Sequence, residues 1–219
     1  MQVFTSTVAD GSMKAPDRNF ETVLETRTAF LQKNNVQPND TTLVHITYDS
    51  DDFCRYQTLN DSDKGDGMTR PSTIIADALV VSNPGHALFL PLADCVGAVI
   101  HDPTKNILMV SHLGRHNLEQ FGGTKCIEYM VKNHGVNPAD LTVWLSPAAG
   151  IENYPLYSFD NRSLHDVSIE QLAAAGIPAQ NITASPIDSA ADLNYFSHSQ
   201  FLKGNRETDG RFVVVAQLT

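Results

Sequence analysis

A predicted β-hairpin between residues 96 and 111 constrains the fold of this chain more than any other feature. Residues 96–101 and 107–111 are short apolar runs with several β-branched side chains, the pattern of buried strands. The residues between them, Asp-Pro-Thr-Lys-Asn, favour a tight turn. With the turn centred near residues 103 and 104, antiparallel pairing predicts that Cys95 faces His112, with β-carbons roughly 4.5–5.5 Å apart. A slip of one residue would instead place the two side chains on opposite faces of the hairpin.

Helical and strand patterns alternate along the rest of the chain, which is typical of an α/β fold. Apolar periodicity predicts helices at residues 20–34, 118–133 and 164–175, and strands at residues 42–48, 76–82, 87–92, 141–145 and 211–218. His45 falls in the middle of the first of these strands. Residues 60–73 are polar and glycine-rich, which predicts a surface loop. Because no repeat or linker divides the sequence, we expect one α/β domain with a mixed sheet over residues 1–219.

The composition argues against several classes of function. The formal net charge of −10 disfavours a general nucleic-acid or anionic-membrane surface, but it does not disfavour a small anion in a basic pocket. No apolar run approaches the roughly 18 residues of a membrane span, and the N-terminus lacks the apolar stretch of a signal peptide, so we expect a cytoplasmic protein. The three cysteines, Cys54, Cys95 and Cys126, form no Cys-x-x-Cys pair and are expected to be free thiols.

Three side chains could form a reactive centre, namely His45, Cys95 and His112. One thiolate and two imidazoles are good ligands for zinc, and three ligands leave a fourth position for water or substrate. The same residues could equally provide a cysteine nucleophile with a histidine base. The polar residues that follow the hairpin are Arg115, His116 and Asn117. They are expected to open a helix, whose N–H groups could hold an anion.

Short motifs occur here in the same order as in a known family. They read Val-His at 44–45, Ala-Asp-Ala-Leu-Val-Val at 76–81, Ala-Asp-Cys at 93–95, His-Asp-Pro at 101–103, Ser-His-Leu-Gly at 111–114, Ser-Pro at 146–147, Phe-Ser-His at 196–198 and Asp-Gly-Arg at 209–211. On these motifs the chain resembles the multicopper polyphenol oxidase (laccase-domain) proteins, also called the peptidoglycan editing factor family. The resemblance extends over nearly the whole chain.

The resemblance implies a fold, a metal and a reaction. The implied fold is a single-domain layered α/β sandwich of the cysteine-hydrolase-like type, with a mixed β-sheet and flanking helices. By motif, His45, Cys95 and His112 occupy the catalytic positions described as binding zinc. Copper is the less favoured metal, because a multicopper site needs many more paired histidines than the eight present. The implied reaction is phosphate-dependent cleavage of purine nucleosides to the base and ribose 1-phosphate, with adenosine deamination as a variant.

Two further groups of residues are candidates for this site. Binding of the substrate or phosphate is expected at Arg115, His116 and Asn117. Support of the metal ligands is expected from Asp94, next to the cysteine, and from His198 near the C-terminus. The expected partners are small molecules, a nucleoside and phosphate, with no nucleic acid and no membrane. The sequence specifies no oligomeric state.

The segment after His112 departs from the family pattern, which leaves other functions open. The family usually reads Ala-Gly-Trp-Arg-Gly where this chain has Leu-Gly-Arg-His-Asn at 113–117. One alternative is a hydrolase that edits an amino acid on a peptidoglycan precursor, with Cys95 as nucleophile and His112 or His45 as base. Another alternative is a relative that binds zinc without catalysing a reaction.

Overall fold

Two mixed β-sheets form the framework of the molecule, in a computed structural model that describes residues 1–15 and 19–219. The strands in these residues are β1 (Gln2–Thr5), β2 (Thr41–Leu43), β3 (Tyr56–Thr58), β4 (Ala78–Val81), β5 (Ala87–Leu92), β6 (Val96–Asp102), β7 (Ile107–Leu113), β8 (Thr142–Leu145), β9 (Ile182–Ala184) and β10 (Phe212–Gln217). The smaller sheet has the strand order β1-β10-β5-β2, and the larger sheet has the order β3-β4-β7-β6-β8-β9. Each sheet contains both parallel and antiparallel pairs.

Helices cover the outer faces of the two sheets. The α-helices are α1 (Leu24–Lys33), α2 (Arg115–Glu119), α3 (Gly122–His134), α4 (Leu164–Ala174) and α5 (His198–Leu202), and 3-10 turns lie at Val8–Asp10, Phe20–Val23, Pro38–Asp40, Asp61–Asp63, Pro138–Asp140, Tyr157–Phe159 and Ala179–Asn181. In the part of the chain that the structure describes, no helix is both long and apolar enough to cross a bilayer. The predicted helices at 20–34 and 164–175 and the predicted strands at 76–82, 87–92, 141–145 and 211–218 are confirmed, with shifted ends.

Alternating side chains on the strands divide the hydrophobic core into layers. On the larger sheet, Ile100 and Met109 face helices α3 and α4, whereas their chain neighbours Val99 and Val110 face the smaller sheet. The other face of the smaller sheet is covered by α1, through residues such as Phe30. Removing both faces of each sheet from water is what stabilises this arrangement. The order of layers is therefore α3 with α4, the larger sheet, the smaller sheet, and α1.

The predicted hairpin is confirmed as β6 and β7, but its register differs from the prediction by two residues. His112 pairs with Gly97, so the prediction that Cys95 faces His112 across the hairpin is wrong. The turn is responsible, because the carboxylate of Asp102 accepts two N–H groups and closes a loop of residues 103–106. A shift of two residues keeps each side chain on its predicted face. Cys95, just before β6, therefore lies diagonally from its predicted partner.

The strand predicted at residues 42–48 is mostly a loop. β2 ends at Leu43, and His45 lies beyond it instead of in mid-strand. The backbone can leave the sheet because its carbonyl oxygens find other donors: that of His45 accepts the N–H of Ala76 at 3.1 Å, and that of Thr47 accepts from the Arg55 guanidinium at 2.9 Å. The same guanidinium also donates to the Thr47 hydroxyl at 2.9 Å. His45 thus belongs to a loop at the end of the smaller sheet.

The helix predicted at residues 118–133 is two helices, α2 and α3, because the chain breaks at Phe121. Phe121 has a left-handed backbone with φ of 63°. A β-carbon on Gly122 would lie 1.8 Å from Oδ1 of Asn117, so the two helices meet at a distance that only glycine permits. Some elements were not predicted because they are too short to show a hydrophobic period, namely strands β1, β3 and β9 and helix α5.

His86 is completely buried next to β2, and this position predicts a loss of stability in acid. Its Nε2 lies 2.8 Å from the Thr42 hydroxyl, and burial lowers its pKa from 6.5 to about 4. Because the unfolded chain binds the proton at the higher pH, the stability contributed by neutral His86 is present above pH 6.5 and is lost as the pH falls through 4. We expect His86→Gln to remove up to about 3 kcal/mol of this pH dependence.

The measurement is urea unfolding of both proteins near pH 7 and near pH 4. His112 contributes to the pH dependence of both proteins equally, so the comparison isolates His86. A variant whose free energy of unfolding falls with acidification as much as that of the wild type would contradict the prediction.

Candidate active site

A cavity of about 500 Å³ lies where β5 leads into β6, next to the end of β7. Its wall contains the three residues predicted to be ligands, His45, Cys95 and His112, and the two predicted to support them, Asp94 and His198. The fold thus gathers five of the eight predicted site residues at one cavity, from distant parts of the chain. The volume is within the range of pockets that bind small molecules.

Cys95 and His112 lie at the centre of this site. Cys95 Sγ and His112 Nε2 are 3.0 and 2.9 Å from the point where a β-carbon on Gly114 would stand, so both atoms border the space that this glycine leaves. Burial raises the pKa of the Cys95 thiol to about 12 and lowers that of the His112 imidazole to about 4. Both groups are therefore uncharged at neutral pH.

Asp94 places the cysteine at the crossing between the two sheets. With φ of 75°, it turns the chain from β5 in the smaller sheet to β6 in the larger one. Its carboxylate accepts hydrogen bonds from the Ser197 hydroxyl and from the N–H of Ser199, the latter at 2.6 Å. The carboxylate thereby fastens the segment that contains His198 to the link that carries Cys95.

His45 is oriented by hydrogen bonds that begin at a buried carboxylate. Its Nδ1 lies 3.0 Å from the Ser72 hydroxyl, which donates to the Asp66 carboxylate at 3.2 Å. Asp66 is completely buried and also accepts the N–H and the hydroxyl of Thr73. The His45 ring is thus held at its Nδ1 edge by the predicted polar loop, a contact that the sequence did not indicate.

An ion pair with a buried carboxylate lies behind His112, and the sequence analysis did not predict it. The guanidinium of Arg55 donates to both carboxylate oxygens of Asp77, at 2.7 and 3.0 Å, and the Asp77 side chain is 1% exposed. The backbone carbonyl of Asp77 accepts the N–H of His112 at 2.8 Å. Since Arg55 also holds Thr47, the pair connects the loop of His45 to the strand of His112. The only signal in the sequence was a lone acid at the start of an apolar strand.

The residues predicted to bind substrate line a second cavity, of about 260 Å³. Arg115, His116 and Asn117 form part of its wall, together with Cys95 and His112, which it shares with the larger cavity. Aromatic side chains complete the wall, namely Tyr48, Phe53 and Tyr154. Cys95 and His112 therefore border both cavities.

All three of these predicted residues have partners within the protein, and Arg115 Nη2 lies 3.2 Å from His116 Nε2. The Asn117 amide is buried and donates to the Phe53 carbonyl oxygen at 2.6 Å. The His116 ring stacks on Phe53 with centroids 4.8 Å apart, and its Nδ1 lies 3.5 Å from the Glu119 carboxylate. Helix α2, which begins at Arg115, has only five residues and so little dipole to offer an anion.

The donors in the larger cavity fit a zinc ion in chemical type. Thiolate sulfur and neutral imidazole nitrogen are the ligands that zinc prefers, and burial keeps the His112 ring neutral. Among residues 1–15 and 19–219, no three His, Cys, Asp or Glu side chains are already arranged to hold a metal ion. His45, Cys95 and His112 are the residues that would hold one in this cavity.

Known proteins resemble this chain in sequence and in fold. The family model described as multi-copper polyphenol oxidoreductase laccase matches residues 9–159. The purine nucleoside phosphorylase YlmD of Bacillus subtilis (strain 168) is 25% identical over 132 residues, which are 59% of this chain and 46% of that protein. The match thus spans less than half the length of this relative.

Solved structures share the fold over nearly the whole chain. The hypothetical protein YfiH of Bacillus licheniformis superposes with a TM-score of 0.83 at 20% identity, over 99% of this chain and 92% of that one. YlmD from Geobacillus stearothermophilus gives a TM-score of 0.80 at 19% identity, over 99% and 91% of the two chains. The predicted α/β sandwich with flanking helices is confirmed, with two mixed sheets where one was expected.

Proposed function

The chain belongs to the multi-copper polyphenol oxidoreductase laccase family, and from this premise we propose that it is a zinc-dependent enzyme that cleaves purine nucleosides with phosphate. The observation that carries the proposal is the convergence of His45, Cys95 and His112 on one cavity, with a second cavity beside it. The name of the Bacillus subtilis relative, purine nucleoside phosphorylase, supports the choice of reaction.

The reaction exchanges one bond at the ribose for another. A phosphate oxygen forms a bond to C1′ of the ribose while the bond from C1′ to the base nitrogen breaks. The electron pair of that bond goes to the base, which takes up a proton, and the products are the free base and ribose 1-phosphate. The site therefore has to bind a flat base, a ribose and an oxyanion in adjacent places.

The proposed roles of the residues follow from the two cavities. His45, Cys95 and His112 hold the zinc ion, which when bound supplies a Lewis acid for the reaction. The wall of the smaller cavity contains aromatic rings, among them Tyr48 and Phe53, whose ring centroids are 5.9 Å apart. These rings offer flat apolar faces for the base. Stacking of a base on an aromatic ring is worth about 1–3 kcal/mol.

The cysteine-hydrolase alternative has less support. A cysteine nucleophile reacts as the thiolate, and reactive cysteines have a lowered pKa. Burial raises the pKa of Cys95 to about 12, and His112 beside it is neutral. The charged pair that such a hydrolase needs is therefore disfavoured.

The hydrogen-bond chain to His45 gives a prediction about metal affinity. Ser72→Ala removes the hydroxyl that links the His45 ring to Asp66, so we expect about a tenfold weaker zinc affinity. The measurement is a competition titration with a chelating dye.

Thr73→Val is the matched control for this prediction. It removes a hydroxyl whose single hydrogen is donated to the same Asp66 carboxylate, at 2.7 Å. We expect this variant to bind zinc as the wild type does. Equal weakening in the Ser72 and Thr73 variants would show that the loop as a whole, and not the hydrogen bond to His45, sets the affinity.

The experiment that tests the function is incubation of the zinc-analysed protein with adenosine or inosine, with and without phosphate. Free base that forms only with phosphate is the expected result. Inosine formed from adenosine without phosphate would instead assign deamination. A zinc-containing protein that leaves both nucleosides unchanged would overturn the proposal.

A further inference from the structure

Two cationic side chains and a histidine converge on one carboxylate at the edge of the larger cavity. The Asp209 carboxylate accepts hydrogen bonds from Arg211 Nη1 at 2.7 Å and from the Lys14 ammonium, and His198 Nδ1 lies 2.9 Å from it. The groups come from the N-terminal segment, from α5 and from the residues before β10. Lys14, His198 and Arg211 line the cavity that contains Cys95.

The cluster has more positive charge and more hydrogen-bond donors than its one carboxylate uses. Lys14 has three N–H donors, of which Asp209 receives one, and Arg211 uses only Nη1 in its contacts with the described residues. His198 uses only Nδ1 in the same way. Toward residues 1–15 and 19–219, the other N–H groups of Lys14 and Arg211 therefore have no acceptor and can donate to a ligand in the cavity.

A buried arginine behind the cluster adds to the positive potential. Arg27 is 3% exposed, and its N–H groups donate to the carbonyl oxygens of Met13 and Gly67. Within residues 1–15 and 19–219, no carboxylate forms an ion pair with it. Its bond to Met13 also positions the segment that carries Lys14. Although the chain has a net charge of −10, the described residues that line this cavity include the basic side chains of Lys14, Arg27 and Arg211 and only one acid, Asp94.

The charge of this cluster reaches the centre of the site. Burial raises the pKa of the Asp209 carboxyl group, but hydrogen bonds from Lys14, Arg211 and His198 outweigh it and hold that pKa below its usual range. Arg211 also opposes the rise in the pKa of Cys95. An anion bound to Arg211 would therefore lie within electrostatic reach of the Cys95–His112 pair.

We propose that Lys14, His198 and Arg211 form an oxyanion subsite that binds inorganic phosphate, with Asp209 holding these three side chains in place when phosphate is absent. Preorganised donors of this kind reduce the cost of ordering on binding. The identification of phosphate as a co-substrate rests on the proposed function. This proposal assigns phosphate to a different place from the sequence prediction, which put it at Arg115, His116 and Asn117.

The test measures phosphate binding directly as well as turnover. Inorganic phosphate is titrated into the zinc-loaded wild type and Lys14→Gln by calorimetry, and KM for phosphate is measured with saturating inosine. Loss of one charge-assisted contact is expected to raise both Kd and KM for phosphate about tenfold and to leave KM for inosine unchanged. Lys33→Gln is the matched control, because Lys33 also pairs with an aspartate, Asp10, but lies outside the cavity.

A second variant tests phosphate binding at the subsite independently of Lys14. Arg211→Lys keeps the charge but loses the planar fork, so it is expected to weaken phosphate binding while the affinity for zinc is retained. Melting temperatures of all variants are compared first. If Lys14→Gln fails to fold, the Arg211→Lys titration decides the question by itself.

The outcomes separate this proposal from the proposed function. Phosphate bound by the wild type and weakened in Lys14→Gln, without any cleavage of nucleosides, would support the subsite and overturn the function. Cleavage with an unchanged KM for phosphate in both variants would overturn the subsite and leave the function intact. If a 5′-nucleotide binds through Lys14 but free phosphate does not, the assignment to inorganic phosphate is wrong.

Discussion

Cys95→Ser is expected to weaken zinc binding strongly, so that the purified protein loses its zinc, and to abolish nucleoside cleavage. Serine has nearly the size of cysteine, but its hydroxyl is not a ligand that zinc prefers, so the site loses its only sulfur donor. We expect the Kd for zinc to rise by at least about 100-fold, since changes even to residues behind the ligands cost 10–100-fold. The measurement combines the zinc content of the purified protein with the release of base from inosine.

Cys54→Ser is the matched control for this substitution. Cys54 is also half-buried, and its Sγ approaches the carbonyl oxygens of Asn117 and Gln120, outside the wall of either cavity. This variant should keep its zinc and its turnover. If Cys95→Ser retains zinc, Cys95 is not a ligand, and the proposed metal site is wrong.

Asp77→Ala is expected to lower the free energy of unfolding by about 3–5 kcal/mol. The substitution leaves the Arg55 guanidinium without its buried carboxylate partner, and that uncompensated charge is the main cost. The same change also releases the contact through which Arg55 holds Thr47. Urea unfolding of the wild type and the variant measures the loss.

Two further variants test whether burial of the carboxylate causes the loss of stability. Glu170→Ala breaks the ion pair with Arg162, in which both side chains are exposed, and should cost far less stability. The double variant Asp77→Leu with Arg55→Met removes both charges, that of the buried Asp77 and that of the partly buried Arg55, and should recover most of the stability. A loss in Asp77→Ala no larger than that in Glu170→Ala would show that the ion pair is not effectively buried.

The sequence predicts the large elements because their patterns are local. The hairpin shows in its two apolar runs and in its turn residues, and α4 shows in its period and its Gly176 stop. The register was wrong by two because the Asp102 side chain, which caps the turn, sets the loop length. The break at Phe121 was missed because its cause is the packing of Asn117 against Gly122.

The candidate site was predictable only where single residues carry a motif. His45, Cys95 and His112 are chemically distinctive, and motif order was enough to group them at one cavity. Their supports depend on pairs that only the fold brings together: Arg55 with Asp77 across 22 residues, and Asp94 with Ser197 across 103. None of these four residues is unusual by itself, so no local sequence pattern predicts either pair.

The chain passes from the smaller sheet to the larger sheet at Asp94, so the site contains residues from both sheets and from the link between them. His45 follows the edge strand of the smaller sheet, His112 ends a central strand of the larger one, and Cys95 lies on the link between them. A metal ion held by all three would act as a cross-link, resisting any sliding of one sheet over the other. Its binding energy would then add to the stability of the whole sandwich, and the metal-free protein would be the one in which the sheets can shear.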